Sequence, residues 1–285
     1  MLAAGPSTFH SPCRLQERTA FHRQESHMFT DLKQKKVLIT GSTKGIGLAA
    51  AVAFAREGAV VGINSRQQDD AARDAIAQLE ATGARFEYFA RDLSTSEGCA
   101  ALVEDFTKAF GGMDVLVNNA GGLGVRAGLE SLDDAAFDLV MDLNLRSAIM
   151  TTKYAMPHLK ASAKDSGTTA SVISTGSIAG REGGGLGASL YGGTKAMLHN
   201  LHRNWVKEFT KDNVRFNIVS PGTIDTVFHA DKSEELRTKI AGSIAMGRFG
   251  TSEECAPTFL FLASHATSGY ITGQVIDING GQMCP

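Results

Sequence analysis

The chain has 285 residues, of which 43% are hydrophobic and 20% charged, and its formal net charge is -2. This composition excludes an intrinsically disordered chain, and the absence of any basic block among 28 Lys and Arg residues argues against a nucleic-acid partner. The apolar run over residues 48–55 is far shorter than the roughly 20 residues that span a bilayer, so we expect no membrane partner.

Residues 1–30 differ from the rest of the chain because they contain prolines and histidines but no sustained hydrophobic period. Glu17 and Glu25 interrupt the segment, whereas a transit peptide is poor in acids. We therefore expect a disordered N-terminal extension, or an upstream start site since Met28 would also begin a domain. A single folded domain is predicted over residues 31–285.

From Lys35 onward, short apolar runs alternate with longer stretches of helical period, which is typical of βαβ units around a parallel sheet. Strands are predicted at residues 37–40, 60–63, 86–90, 115–118, 171–174, 216–219 and 275–278. Seven such strands predict an α/β fold with a Rossmann-type, doubly wound parallel sheet in one domain.

Helices are predicted between these strands from their end signals. The windows 47–57 and 68–82 are each followed by a glycine, Gly58 or Gly83, which suits a left-handed C-terminal cap. Thr251 and Glu254 have the spacing of a capping box and favour a helix over residues 252–263.

A glycine turn follows the first predicted strand and leads into an alanine-rich helix. Its residues are Gly41, Ser42, Thr43, Lys44, Gly45, Ile46 and Gly47. Glycines let the backbone approach a pyrophosphate, and the free amides at a helix N-terminus favour its negative charge. The G-x-x-x-G-x-G spacing differs from the commoner G-x-G-x-x-G, so by itself the turn suits either a dinucleotide site or a plain tight turn.

A series of short motifs runs through the chain. The T-G-x-x-x-G-I-G turn starts at Thr40. The motifs that follow it in order are Asp92, Asn118-Asn119-Ala120-Gly121, Asn144, Ser177, Tyr191-x-x-x-Lys195, Pro221-Gly222 and Asn279-Gly280-Gly281. With these motifs the chain resembles the short-chain dehydrogenase/reductase family over roughly residues 35–283, and it looks most like the 3-oxoacyl-carrier-protein reductases within it.

The resemblance implies a bound nicotinamide dinucleotide. Asp92 and Leu93 would contact the adenine after the third strand. Asn118, Ala120 and Gly121 would line the adenosine side, although Asn and Gly also suit a simple turn. The segment that would hold the nicotinamide carboxamide contains Pro221, Gly222, Ile224 and Thr226.

The end of the second predicted strand indicates which dinucleotide is preferred. It reads Ile63-Asn64-Ser65-Arg66 and contains no acid. A carboxylate would bind both ribose hydroxyls of NAD, whereas an arginine suits the 2′-phosphate of NADP. Ser65 and Arg66 are therefore predicted to bind NADP(H), with Lys44 as a second cation, unless both cations are only solvated surface charges.

Tyr191 and Lys195 lie four residues apart on a predicted helix, so they project from one face. A neighbouring ammonium lowers the pKa of a phenol toward the working pH and makes it a better proton donor to a carbonyl oxygen. The resemblance adds that Lys195 binds the nicotinamide ribose, that Ser177 polarises the substrate oxygen and that Asn144 supports a water chain. Taken singly, Tyr191 and Lys195 also suit a pair of surface side chains, Ser177 a turn and Asn144 a helix kink.

Cys13, Cys99, Cys255 and Cys284 are far apart and have no ligand spacing, so neither a metal site nor a disulfide framework is expected. Reduced thiols fit a cytoplasmic protein. The stretch over residues 226–247 shows no strand pattern and is predicted to form a lid over the substrate.

The predicted function is NADPH-dependent reduction of a carbonyl, in a 3-oxoacyl thioester or similar β-keto compound, to a secondary alcohol. One alternative is an NADP-linked dehydrogenase of a sugar, polyol, steroid or other small alcohol. Another is a catalytically silent dinucleotide-binding regulator, since one fold hosts many functions. The expected partners are a small-molecule or acyl-thioester substrate and, as is common in the family, further copies of the chain in a homotetramer.

Overall fold

Seven strands form one parallel sheet in the computed structural model, which describes Met1, residues 29–229 and residues 232–284. The strands are β1 (Lys36–Ile39), β2 (Val60–Ser65), β3 (Phe86–Ala90), β4 (Val115–Asn118), β5 (Ala170–Thr175), β6 (Val214–Pro221) and β7 (Val275–Ile278). Their order is β3-β2-β1-β4-β5-β6-β7. The order reverses between β1 and β4, and such a switch point opens a crevice at the carboxyl ends of the strands. The predicted fold is confirmed.

The helices pack on both faces of this sheet. They are α1 (Gly45–Arg56), α2 (Asp70–Glu80), α3 (Ser96–Phe110), α4 (Asp134–Met141), α5 (Ser147–Ser166), α6 (Ala179–Glu182), α7 (Ser189–Phe209), α8 (Glu234–Gly242), α9 (Ser252–Ala263) and α10 (His265–Ser268). None of those in the described part of the chain is long and apolar enough to cross a membrane.

The predicted helix ends agree with the structure to within two residues. Gly58 and Gly83 have the positive φ values, 77° and 70°, that a left-handed residue after a helix requires. Thr251 accepts a hydrogen bond from the Glu254 amide while the Glu254 carboxylate accepts one from the Thr251 amide, so the capping box is formed. Its helix, α9, covers the predicted residues.

Alternate residues of the strands face two separate apolar cores. Val37 and Ile39 face the core that contains α1 and α9, whereas Leu38 faces the core that contains α3 and α5. Phe29 belongs to the first core and is 9% exposed. The packed domain therefore includes Phe29, which lies before the predicted boundary at residue 31. Residues 2–28 of the predicted extension lie outside the described residues.

Exposed apolar side chains lie on α4 and on α7, the helix that bears Tyr191. Phe137, Leu139 and Met197 are all more than 40% exposed. Ala148 on the neighbouring helix α5 is buried against Leu198. The homotetramer stays a prediction.

Candidate active site

The glycine turn between β1 and α1 is tightly enclosed. Gly41 and Gly45 have positive φ values of 59° and 57°, which favour glycine. A Cβ on Gly41 would lie 2.8 Å from the Cα of Ala120. The buried Ser42 hydroxyl donates to the Ile39 carbonyl at 2.7 Å and accepts from the Asn64 amide at 2.9 Å. The turn is thus held in one conformation by the neighbouring strands.

Asn64 at the end of β2 joins this turn to β3, a role that the sequence did not reveal. Its side chain is 1% exposed, and its Nδ2 donates to the carbonyls of Phe89 and Arg91 at 3.0 and 3.1 Å. Its Oδ1 accepts from the Gly41 amide at 3.3 Å. Because these bonds use the amide fully, Asn64 shapes the site rather than offering a free polar group to a ligand.

The cations predicted to bind the 2′-phosphate lie on the surface near this end of β2 and α1. Lys44 and Arg66 are both exposed, and among the described residues neither forms an ion pair with a carboxylate. Asp92 is exposed and accepts from the Ser94 amide, whereas Leu93 is buried in the second core. The Ser65 hydroxyl is hydrogen-bonded to the Gln67 carbonyl and to the Tyr88 hydroxyl.

Buried polar side chains connect the glycine turn to Lys195. The Thr40 hydroxyl accepts from the Asn119 amide at 3.0 Å, and Asn119 Nδ2 donates to the Gly41 carbonyl at 2.8 Å. Asn119 Oδ1 in turn accepts from the Thr175 hydroxyl at 3.0 Å. Lys195 Nζ then donates to the Thr175 carbonyl at 2.9 Å. Thr40, Asn119 and Thr175 lie at the carboxyl ends of β1, β4 and β5, which become neighbours only in the folded sheet.

Asn144 lies in a π-helical turn, Asp142–Arg146, between α4 and α5, where the sequence predicted an ordinary helix. It is 1% exposed and exchanges hydrogen bonds of 3.0 and 2.8 Å with the amide and carbonyl of Gly122. A Cβ on Gly121 would lie 2.8 Å from Asn144 Oδ1 and 3.2 Å from Lys195 Nζ. The π-helical turn therefore places the Asn144 side chain beside Gly121, next to which Lys195 Nζ also lies.

Tyr191 and Lys195 project from α7 toward Ser177, which lies between β5 and α6. Ser177 lies close enough to the Tyr191 hydroxyl to influence its pKa, and Lys195 Nζ lies 5.7 Å from the Tyr191 ring centroid. Burial lowers the pKa of Lys195 to about 8. Burial raises the pKa of Tyr191, and the neighbouring Ser177 opposes this only in part. Burial thus acts against the effect expected from the Lys195 charge, and the lowering of this pKa by Lys195 stays a prediction.

The segment after β6 closes the other side of the crevice. Its amide at Gly222 donates to the Ile278 carbonyl at 2.9 Å, and Ile224 is buried. A Cβ on Gly45 would lie 3.4 Å from Thr226 Cγ2, so this segment reaches the glycine turn. The Phe228 ring lies 5.8 Å from the Tyr191 ring. Pro221 is the last residue of β6.

The predicted site residues thus meet at one edge of the sheet, and the residues present suit a dinucleotide. Gly41, Gly47 and Gly121 have no room for a side chain. The first turn of α1 has no side-chain cap, which leaves its positive end to an anion such as pyrophosphate. Within the described ranges, no three His, Cys, Asp or Glu side chains gather as metal ligands.

Known proteins resemble the chain over nearly the whole folded region. A protein-family model described as enoyl-(acyl carrier protein) reductase matches residues 41–283. The 3-oxoacyl-[acyl-carrier-protein] reductase FabG of Thermotoga maritima is 33% identical over 252 residues, which are 88% of this chain and 98% of the relative.

Two solved structures are also similar. NADH-dependent reductase A1-R′, described as responsible for alginate metabolism, is 57% identical with a TM-score of 0.84, over 90% of this chain and 100% of that chain. The Pseudomonas aeruginosa RhlG complex with NADP is 34% identical with a TM-score of 0.82, over 89% and 98% of the two chains.

Proposed function

The chain belongs to the short-chain dehydrogenase/reductase family, and from this we propose that it uses NADPH to reduce the carbonyl of a small keto sugar acid to a secondary alcohol. The observation that carries the reaction type is the meeting of Ser177, Tyr191 and Lys195 at the carboxyl edge of the sheet. A hydroxyl, a phenol and a buried ammonium in one crevice are suited to proton transfer at a carbonyl oxygen.

Each of these residues has a distinct part in the proposed reaction. Ser177 donates a hydrogen bond to the substrate oxygen, and Tyr191 delivers the proton to it, since the two hydroxyls lie close to each other in the crevice. The charge of Lys195 favours the phenolate that proton transfer leaves behind. Asn144, which meets Lys195 at Gly121, orders the polar groups beside the ammonium. The bound nicotinamide supplies the hydride.

Lys44 and Arg66 support the preference for NADPH. Both are exposed without a carboxylate partner among the described residues, so both are available to a phosphate. No acid stands at the end of β2 to repel that phosphate. NADH is the competing cofactor, because the 57% identical reductase A1-R′ is described as NADH-dependent.

The proposed substrate class, a keto sugar acid, is taken from reductase A1-R′, which is described as responsible for alginate metabolism. Alginate is a polymer of uronic acids, so products of its cleavage carry carboxylates. The predicted 3-oxoacyl thioester is the second candidate and is supported by the FabG relatives. However, Leu186, in the glycine-rich segment before α7, is 98% exposed. This rim provides little apolar surface for an acyl arm.

A substrate and cofactor panel tests the proposal. Purified protein is given NADPH or NADH with a keto sugar acid from exhaustively cleaved alginate, an acetoacetyl thioester or a neutral ketose, and nucleotide oxidation is followed. We expect the highest kcat/KM with the sugar acid and NADPH. Faster reduction of the thioester would favour the second candidate. A folded protein that binds NADPH and reduces none of these compounds would refute the proposed function.

A further inference from the structure

Arg126 lies on the loop between β4 and the 3-10 turn Leu129–Ser131, at the rim of the candidate active site. Its Nη1 donates to the Leu186 carbonyl at 3.0 Å, and the Ala127 amide donates to the Gly187 carbonyl at 3.0 Å. We call this pair of hydrogen bonds the rim bridge. It joins the loop over residues 122–128 to the glycine-rich segment that precedes α7.

Both ends of this loop are tied to the predicted catalytic residues. At one end, Gly122 exchanges two hydrogen bonds with Asn144. At the other end, the rim bridge holds Gly187, which lies four residues before Tyr191. Arg126 is therefore fixed on a loop that is tied to Asn144 at one end and to the segment before Tyr191 at the other.

The charge of Arg126 is uncompensated in the described part of the chain, where no carboxylate pairs with it. Several other arginines around this edge of the sheet are paired with an acid, although Arg66 at the end of β2 is not. These pairs are Arg181 with Asp277 at 3.0 Å, Arg237 with Asp225 at 2.9 Å and Arg248 with Glu254 at 2.6 Å. Arg126 is exposed and thus accessible to an anion that enters the site.

The Arg126 guanidinium keeps donors that the rim bridge does not use. A guanidinium has five N–H groups in a planar fork that matches a carboxylate, and the Leu186 carbonyl accepts from Nη1 alone. The bond to Leu186 also fixes the side chain in advance, which reduces the entropy lost when a ligand binds.

We propose that Arg126 is a specificity-determining residue that binds the carboxylate of the substrate at the rim. The inference rests on the proposed function, because it names the group by which a keto sugar acid is distinguished from neutral carbonyl compounds. A residue that only holds the rim together would instead affect all substrates alike.

Arg126→Gln tests this role because glutamine keeps an N–H donor for the Leu186 carbonyl but loses the charge. Steady-state kinetics would compare a keto sugar acid with its methyl ester. For the acid we expect KM to rise about tenfold, the effect of losing one charge-assisted hydrogen bond, with kcat within about twofold. For the ester we expect both parameters to be unchanged. Arg126→Lys should restore part of the affinity for the acid.

Arg56→Gln is the matched control, because Arg56 is an exposed arginine at the C-terminal end of α1, on the opposite edge of the sheet. It should change none of these values. An equal rise in KM for the acid and the ester in Arg126→Gln would overturn the inference and leave a structural role. A wild-type protein that reduces the acid and the ester equally well would overturn it too, while the proposed reduction would stand.

A binding measurement separates failure of this inference from failure of the proposed function. The protein with NADP bound is titrated calorimetrically with a sugar acid that has no ketone, so that turnover is not needed. We expect binding by the wild-type protein and about tenfold weaker binding by Arg126→Gln. Equal affinities, or no binding by the wild-type protein, would overturn the role of Arg126 whether or not the reductase activity is found.

Discussion

The glycine turn and the rim before α7 border the same crevice but are held by different contacts. Gly41 and Ser42 are bonded to Asn64, whose side chain also joins β3, and all of these bonds involve buried atoms or strand ends. The rim contains Gly183, Gly184 and Gly187 with positive φ, and Leu186 is almost wholly exposed. A turn that neighbouring strands enclose can serve one ligand shape, whereas an open rim can vary with the substrate.

The largest effect is expected where the two regions meet, at Tyr191. Tyr191→Phe removes the transferable proton but little volume, so turnover should fall by about 10² to 10⁴ while NADPH affinity stays within about twofold. Single-turnover kinetics and nucleotide titration measure the two quantities. Tyr270→Phe is the control, because Tyr270 is fully exposed, and it should leave both unchanged. Normal turnover in a folded Tyr191→Phe protein would exclude the proposed role.

Reversing the charges beside the turn should affect the cofactor and not the substrate. In the double variant Lys44→Glu and Arg66→Asp, the ratio of kcat/KM for NADPH to that for NADH should fall about 100-fold, since two charge-assisted contacts are lost. KM for the carbonyl substrate should not change. Arg56→Gln should keep the wild-type ratio. An unchanged ratio in the double variant would show that these cations do not bind the 2′-phosphate.

The buried ammonium of Lys195, on α7, predicts that the rate of carbonyl reduction depends on pH. Burial lowers the pKa of Lys195 to about 8, so its charge is present below that pH and is lost above it. Carbonyl reduction should therefore slow by about tenfold for each pH unit above about 8, because the phenolate is no longer favoured. A profile of kcat/KM against pH measures this. A flat profile between about pH 7 and pH 10 would contradict it.

One glycine from each region gives a matched pair of substitutions. In Gly41→Ala the new Cβ would meet the Ala120 backbone at 2.8 Å, whereas in Gly185→Ala it would meet nothing within 4 Å. Gly41→Ala should lower Tm by about 5 °C and weaken NADPH binding, and Gly185→Ala should shift Tm by less than about 1 °C. Thermal denaturation measures the Tm of each variant, and nucleotide titration measures its affinity for NADPH. Similar Tm shifts in the two variants would contradict the view that the glycine turn is enclosed and the rim is open.

The smallest effect is expected outside both regions. A chain that starts at Met28 keeps Phe29, whose side chain packs in the first core, and loses only residues that showed neither hydrophobic period nor motif. Its Tm and kcat/KM should equal those of the full chain within about 1 °C and twofold. A clear loss of stability would show that residues before Met28 contact the domain.

The sequence by itself determined the elements and their order. Three predicted strands, 86–90, 115–118 and 275–278, have the predicted ends, and the capping box at Thr251 is formed. Hydrophobic period and cap chemistry are local, so they can be read along the chain. The spacing of Tyr191 and Lys195 is local in the same way, and it placed both side chains on one face of α7. Their roles and those of the cofactor residues stay predictions.

Only the tertiary structure decided which hydrogen bonds hold the site together and how burial shifts the pKa values of its groups. Asn64 bonds to residues more than 20 positions away, and the chain of bonds from Thr40 to Lys195 joins segments that are distant in sequence. The raised pKa of Tyr191 follows from burial, which no spacing reports. The rim bridge of Arg126 likewise spans 60 residues. These features depend on which strand ends become neighbours, and only the packed sheet fixes the distances and the exclusion of water on which hydrogen bonds and pKa values depend.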